Sequence, residues 1–211
     1  MKKTEAKTAL NIVFLPDNII AGKALNICNN LKKQKISLVF QLDTKKYRPH
    51  ITLFQGYYPN KNIPTLIEKL KSKLALVPRT RIEMDDFWVS PAGFVWWNCK
   101  KTQQLQEIHE EILDVALPLQ EGNISSNNMA MIDILPERER KMIDTTGSIY
   151  NRELFSPHIT ISRLGDFEKA EKALHYLGQG ESGSFTPTVI TIAHLGEHGT
   201  ISNTVERIPF S

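Results

Sequence analysis

The sequence predicts an α+β fold with an internal duplication, on three observations. Short apolar segments of strand character are interleaved with longer stretches of helical spacing. The tetrapeptide Pro-His-Ile-Thr occurs twice, from Pro49 to Thr52 and from Pro157 to Thr160, followed each time by an aliphatic residue, Leu53 or Ile161. The order after each copy is the same: strand, helix, strand, turn, strand. From His50 to Gly93 is 93 − 50 = 43 residues, and from His158 to Gly199 is 199 − 158 = 41, so the two arms are of matching length.

Taken in order, Asn11 to Pro16 reads as a buried strand, and Asp17 caps a helix to about Lys33 with Ile20, Ala24, Ile27 and Leu31 on one stripe. Ile36 to Leu42 reads as a second strand. The His50 strand follows and ends at Gly56. Pro64 opens a helix carrying Leu66, Ile67, Leu70 and Leu74, which ends before Pro78. Residues 79–89 and Phe94 to Cys99 form a hairpin about Ser90-Pro-Ala-Gly93. A third helix runs from about Thr102 to Leu117, with Leu105, Ile108, Ile112 and Val115 facing the core and Pro118 stopping it. After the His158 strand, Asp166 opens a helix with Phe167, Ala170, Leu174 and Leu177 inward, ended by Gly178. Phe185 to Leu195 and Thr200 to Ile208 make a last hairpin.

The arms differ ahead of the second motif. Ile12 to His50 is 38 residues and Phe94 to His158 is 64, so the second arm carries 64 − 38 = 26 extra residues within about 118–155. The excess includes the apolar run from Met129 to Ile132 and the charged run from Glu137 to Lys141. It fits a lid or binding loop, and it fits an ordinary surface excursion as well.

With 211 residues, 41% of them hydrophobic, the chain can build one core shared by two small lobes. No apolar run approaches a membrane span, and the opening residues do not read as a signal peptide, so a cytoplasmic protein is expected, most simply a monomer. Two cysteines, Cys28 and Cys99, exclude a disulfide framework or a thiolate cage. A net charge of +3 suits a phosphate-bearing partner without requiring one.

Strand geometry turns the repeated word into a candidate site. Side chains alternate, so His50 and Thr52 share one face while Ile51 and Leu53 share the other, and the second copy does the same with His158 and Thr160. Pro49 and Pro157 hold Arg48 and Ser156 extended. If the strands meet across a cleft, one neutral and one cationic imidazole supply the base and the acid that phosphodiester cleavage needs. The threonine hydroxyls can then donate to the non-bridging oxygens. Neither motif has a carboxylate-rich constellation beside it, so no metal and no cofactor is called for.

His50-Ile-Thr-Leu53 and His158-Ile-Thr-Ile161 match the two His-x-Thr-x motifs of the 2H phosphoesterase superfamily, which the whole chain resembles. The resemblance implies two pseudo-symmetric lobes of antiparallel sheet with outer helices, flanking a central cleft, as a single domain over 1–211 with the insertion at about 118–155. The nearest flavour is the RNA 2′,3′-cyclic phosphodiesterases, also called 2′-5′ RNA ligases. It implies His50 and His158 as the acid/base pair and Thr52 and Thr160 as phosphate clamps. Arg163 matches an arginine that many ligase-like members carry after the second motif. Alternation puts Ser162 on the cleft side and Arg163 on the helix side, so a role for Arg163 requires a bulge or strand end. Phe54 lies on the His50 face and borders the cleft. Ser162, Arg163 and Phe54 complete the expected substrate contacts.

The expected activity is metal-independent hydrolysis of a 2′,3′-cyclic phosphate or a related 2′-5′ or cyclic nucleotide bond, with an RNA end or nucleotide as partner. RNA 3′-end trimming by the same pair and a non-catalytic RNA-binding module are the alternatives. Other features read more plainly. His194 and His198 flank a Gly-rich turn, and His109 and His175 sit beside helical apolar stripes as partly exposed structural residues. Phe87, Trp88, Phe94, Trp96 and Trp97 alternate as core aromatics do, with base stacking the minority reading. Lys32, Lys33 and Lys35 make a solvated helix end.

Overall fold

Asn11 to Phe14 is buried throughout, and this segment forms the second half of strand β1, Lys7–Phe14, in the computed structural model, which describes residues 6–125, 128–129, 132–177 and 182–209. The chain continues through α1 (Asn18–Lys33), β2 (Ile51–Pro59), α2 (Ile63–Leu74), β3 (Ile82–Val89), β4 (Phe94–Cys99), α3 (Gln103–Gln120) and α4 (Glu137–Thr146). It closes with β5 (His158–Arg163), α5 (Phe167–Leu174), β6 (Gly183–Phe185), β7 (Val189–Leu195) and β8 (Ile201–Pro209). Three helices start where an oxygen-bearing side chain accepts from the first turn: Asp17 from the Ile20 amide at 2.8 Å, Thr102 from Leu105 at 3.2 Å and Asp166 from Lys169 at 2.8 Å.

All the strands pair antiparallel in a single sheet of order β6-β3-β4-β5-β2-β1-β7-β8. This corrects the expectation of two flanking sheets. The halves are continuous because β2 and β5 meet at one bridge, Ile51 opposite Ile159. One face packs against the helices: Leu10, Ile12, Phe14, Ile51, Leu53, Val95, Trp97, Ile159 and Ile161 are all essentially inaccessible there. The helices cross over, α1 lying against β5 and α3 against β2. The opposite face carries a small apolar patch of Val13, Ala193 and Ile201.

Three expected elements end elsewhere. Ile36 to Leu42 is irregular backbone, touching the sheet through the Val39 N–H, which donates to the Arg163 carbonyl at 2.8 Å. Its side chains still bury, Phe40 and Leu42 among them, so apolar content alone overstated the strand. Helix α3 runs through Pro118 to Gln120. Proline's fixed φ suits a helix, the chain loses one donor in the last turns, and buried Gln120 with Glu121 in the left-handed region closes the end. Phe185 to Leu195 is two strands, β6 pairing with β3 at one sheet edge and β7 with β1 and β8 near the other, divided at Pro187. The expected end of the fourth helix at Gly178, and Ala130 and Met131 of the insertion, lie outside the described residues.

His109 is the larger correction, for it is fully buried rather than partly exposed. Its Nδ1–H donates to the Leu53 carbonyl at 2.7 Å, and its Nε2 accepts from the Arg152 amide at 2.9 Å. The ring also stacks on Phe155 at 4.0 Å. One imidazole thereby joins α3, the motif strand β2 and the segment that leads into β5. Burial drives its pKa down to about 4. The unfolded group takes up a proton at a higher pH than the folded one, so the stabilisation is complete above about pH 6.5 and is lost as pH falls toward 4. Chemical denaturation followed between pH 7 and 4 should show stability falling, with His109 contributing about 3 kcal/mol at most on 1.36 kcal/mol per pKa unit. His109→Ala should cost roughly 2–4 kcal/mol at pH 7 through the cavity and two stranded backbone groups, and it should flatten that acid limb.

Candidate functional site

Directly opposite residues of an antiparallel pair point to the same side, so Ile51 and Ile159 both enter the helix-covered core. Their neighbours on each strand must point the other way. His50, Thr52, His158 and Thr160 therefore occupy one face, around the four corners of the bridge. The register sets each histidine across from the other strand's threonine, with the histidines on the diagonal. Such diagonals are about 7–8 Å in a regular ladder, within the span of one phosphate and two hydrogen bonds.

Alternation then breaks on both strands at the same place. In β2, Val13 pairs with Thr52 and Ile12 with Phe54, leaving Leu53 as an extra residue. In β5, Trp96 pairs with Thr160 and Val95 with Ser162, leaving Ile161 extra. Each is a β-bulge on the aliphatic residue that closes the motif. Beyond it the parity reverses, and both strands show two consecutive buried residues, Leu53-Phe54 and Ile161-Ser162. Phe54 therefore packs in the core instead of bordering the cleft. Ser162 turns inward as well, fully buried, its hydroxyl donating to the Phe40 carbonyl at 2.6 Å. Arg163 comes round to the side of Thr160 through the same bulge. Its guanidinium lies over the Phe94 ring at 5.2 Å and its Nε–H donates to the Ala92 carbonyl at 3.1 Å.

Each histidine is held by the turn before it. The His50 Nδ1–H donates to the Arg48 carbonyl at 2.8 Å and the His158 Nδ1–H to the Ser156 carbonyl at 2.7 Å, the same two-residue reach. Both Nε2 atoms are thus the ones turned away from their own strand. His50 is 8% exposed, and its Nε2 sits 3.2 Å from the Gly199 carbonyl. A carbonyl only accepts, so both contacts of His50 are satisfied together by the doubly protonated ring. His158 instead lies flat on Trp96, ring centroids 3.7 Å apart. Burial lowers both pKa values. For His50 the two carbonyls oppose the shift while the Arg48 charge adds to it. For His158 the fall reaches about 4, with the Ser156 carbonyl opposing it and the charge of His50 contributing.

Sequence reasoning missed three contributors. Trp96 is a stacking partner of His158, and Trp88 and Tyr150 surround it, with ring centroids 5.0 and 5.1 Å from Trp96. Gly199 belongs to the β7–β8 turn, where φ of +58° at His198 and +76° at Gly199 aims the carbonyl at His50. Asn11, on β1, donates from Nδ2 to the Thr52 hydroxyl at 3.2 Å and to the Gly199 carbonyl at 3.4 Å. Its one signal was a polar residue opening an otherwise apolar strand. His194 and His198 are exposed, the latter stacked on Phe40, and among the described residues no cluster of three potential metal ligands occurs. No described helix is long and apolar enough to cross a membrane.

The family model of the 2'-5' RNA ligase superfamily matches residues 40–199, a span containing both motifs. Among solved structures the chain is similar to TT0787 of Thermus thermophilus, at 11% identity and a TM-score of 0.58 over 96% of this chain and 97% of that one. It is also similar to E. coli LigT complexed with NADP+, at 14% identity and 0.53 over 99% of each chain, and complexed with 3'-AMP, at 15% identity and 0.53 over 98% and 99%. At these identities the likeness is one of fold. No curated protein matches the chain.

The Trp96 stack excludes water from His158, so Trp96→Ala should raise the His158 pKa from about 4 toward the ordinary 6.5. A ¹H–¹³C NMR titration of the ring against a His158→Gln reference measures it. An unmoved titration would remove the Trp96 ring as the source of the desolvation.

Proposed function

Because this chain belongs to the 2'-5' RNA ligase superfamily, we propose that it hydrolyses a nucleoside 2′,3′-cyclic phosphate, or a related 2′-5′ or cyclic phosphodiester, by two-histidine acid/base catalysis. One observation carries the reading: the Ile51–Ile159 register gathers His50, Thr52, His158 and Thr160 on one face, at the four corners of one bridge. The nucleotides complexed with LigT, 3'-AMP among them, support a nucleotide ligand in this fold. The pseudo-two-fold duplication belongs to the same reading. Matching motifs, matching bulges and the crossed cover of β2 by α3 and β5 by α1 support it. A single domain of two lobes, with about 118–155 as its insertion, belongs to that reading as well.

The surroundings favour one division of roles. His158, with one carbonyl partner and the Trp96 ring against its face, is the base that takes a proton from the attacking water. His50, with carbonyls at both nitrogens, is the group that best keeps a proton and passes it from Nε2 to the departing ribose oxygen. Water adds to phosphorus, the bond to one ribose oxygen breaks, and a linear phosphomonoester remains. Thr52 and Thr160 donate to the two non-bridging oxygens, where the transition state gathers charge. Arg163, beside Thr160, adds positive charge at that end.

On the His158 side the site is aromatic. Trp88, 43% exposed, stands on the rung that runs through Trp96 to Thr160, and Tyr150, 37% exposed, reaches it from the insertion. These faces suit a nucleobase attached to the reacting ribose phosphate, and they make the insertion part of substrate selection.

Turnover of 2′,3′-cyclic AMP with product analysis tests the proposal. His50→Ala and His158→Ala should each lower kcat by at least about 100-fold, on the general acid/base scale of 10²–10⁴, while remaining folded by circular dichroism. A chelator should leave the rate unchanged, and the product should be a linear phosphate. Full activity in either histidine variant would overturn the mechanism, and a newly formed cyclic end on an RNA substrate would move it to trimming. The kcat/KM profile should be a bell displaced below the ordinary histidine range, because burial lowers both pKa values: protonation of His158, near pH 4, sets the acid limb and deprotonation of His50 the alkaline limb. Trp88→Ala and Tyr150→Ala should raise KM roughly 5- to 100-fold with a smaller effect on kcat, on the 1–3 kcal/mol of a base stack.

A further inference from the structure

Asn11 is a fully buried amide on the cleft face of β1, its rung neighbour Ala193 and its strand neighbour Val13 belonging to the apolar patch there. Its Oδ1 is buried without a hydrogen-bond partner among the described residues. A buried amide left half satisfied costs stability, which points to a purpose other than packing.

The two bonds from Nδ2 show the purpose. The Gly199 carbonyl can only accept, so it requires the nitrogen of the amide to face it; the flipped amide would set two acceptor oxygens against each other. With the nitrogen so placed, Asn11 donates to the Thr52 hydroxyl instead of accepting from it. One lone pair of Thr52 is occupied, and its hydrogen is left for another acceptor on the cleft side. The same Gly199 carbonyl, with its second lone pair, meets the His50 Nε2.

We propose that Asn11 is a positioning residue that sets the Thr52 hydroxyl as a hydrogen-bond donor to the substrate's non-bridging phosphate oxygen and, through the Gly199 carbonyl, ties that clamp to His50. The proposal rests on the four-residue phosphate site. Through the shared carbonyl, the orientation of the clamp and the placement of the acid are one arrangement.

A mutant cycle on 2′,3′-cyclic AMP turnover tests it, using Asn11→Ala, Asn11→Asp, Thr52→Val and the double variant Asn11→Ala/Thr52→Val, with folding checked by circular dichroism and thermal unfolding. Asn11→Ala should lower kcat roughly 10- to 100-fold with a smaller change in KM, below the 10²–10³ of deleting a donor outright. Asn11→Asp keeps the shape but accepts from Thr52, so it should lose at least as much, and it carries the comparison should Asn11→Ala fail to fold. Added to Thr52→Val, the Asn11→Ala change should cost clearly less than it does alone, the remainder being its hold on His50 through the Gly199 carbonyl. A wild-type kcat in Asn11→Asp, or losses that multiply in the double variant, would overturn the proposal. Thr52→Val and His50→Ala separate the two readings: if both stay active the phosphate site itself fails, whereas if both lose activity and the Asn11 variants do not, only the role of Asn11 fails.

Discussion

A single antiparallel bridge, Ile51 opposite Ile159, is the constraint on which the rest of the molecule depends. It is where the half-sheet β6-β3-β4-β5 joins the half-sheet β2-β1-β7-β8. Because opposite residues point the same way, the bridge sends two isoleucines into the core and two histidines and two threonines to the other face in one stroke. The aliphatic side chains hold the register: a slip by one residue would bury the imidazoles under the helices and expose Ile51, Leu53, Ile159 and Ile161. Core packing and the candidate chemistry are thus fixed by the same pairing.

The bulges at Leu53 and Ile161 bound the polar face. Without them Phe54 and Ser162 would stand beside the threonines. With them both go to the core, and Gln55 and Arg163 return to the cleft side. A bulge also increases twist, which suits strands that pair at one rung and then part. The pairing of β2 with β5 is therefore short.

The surroundings of the histidines are unequal although their own turns match. His50 is enclosed by carbonyls from Arg48 and from the β7–β8 turn, whereas His158 has one carbonyl and an indole. That difference separates two imidazoles that a local description would make identical, as acid/base partnership requires. Much of it comes from outside the repeated motif: Gly199 lies 149 residues from His50, and Tyr150 behind Trp96 lies in the segment between α4 and β5. His109 binds that segment, at Arg152, to the backbone of Leu53, so it is anchored on the motif strand itself.

The sequence by itself determined the α+β class, most helix starts, the two strands and the four side chains that share a face, because these follow from capping chemistry and from period-two alternation over a few residues. The adjacent apolar pair Leu53-Phe54 was a readable sign of a parity break, but Ser162 after Ile161 looked like ordinary alternation. Ile36 to Leu42 and Pro118 were misjudged because apolar content and proline's missing donor are local properties, while pairing and the continuation of a helix depend on what lies alongside. Only the tertiary structure decided that the sheet is continuous, that Phe54 and Ser162 turn inward, that His109 is buried, that Gly199 and Trp96 meet the histidines, and that Asn11 meets Thr52. The physical reason is that registers, bulges and burial are set by contacts between segments 40 to 190 residues apart, such as Asn11 with Thr52 and Gly199, and no local pattern records which distant backbone will supply a hydrogen-bond partner.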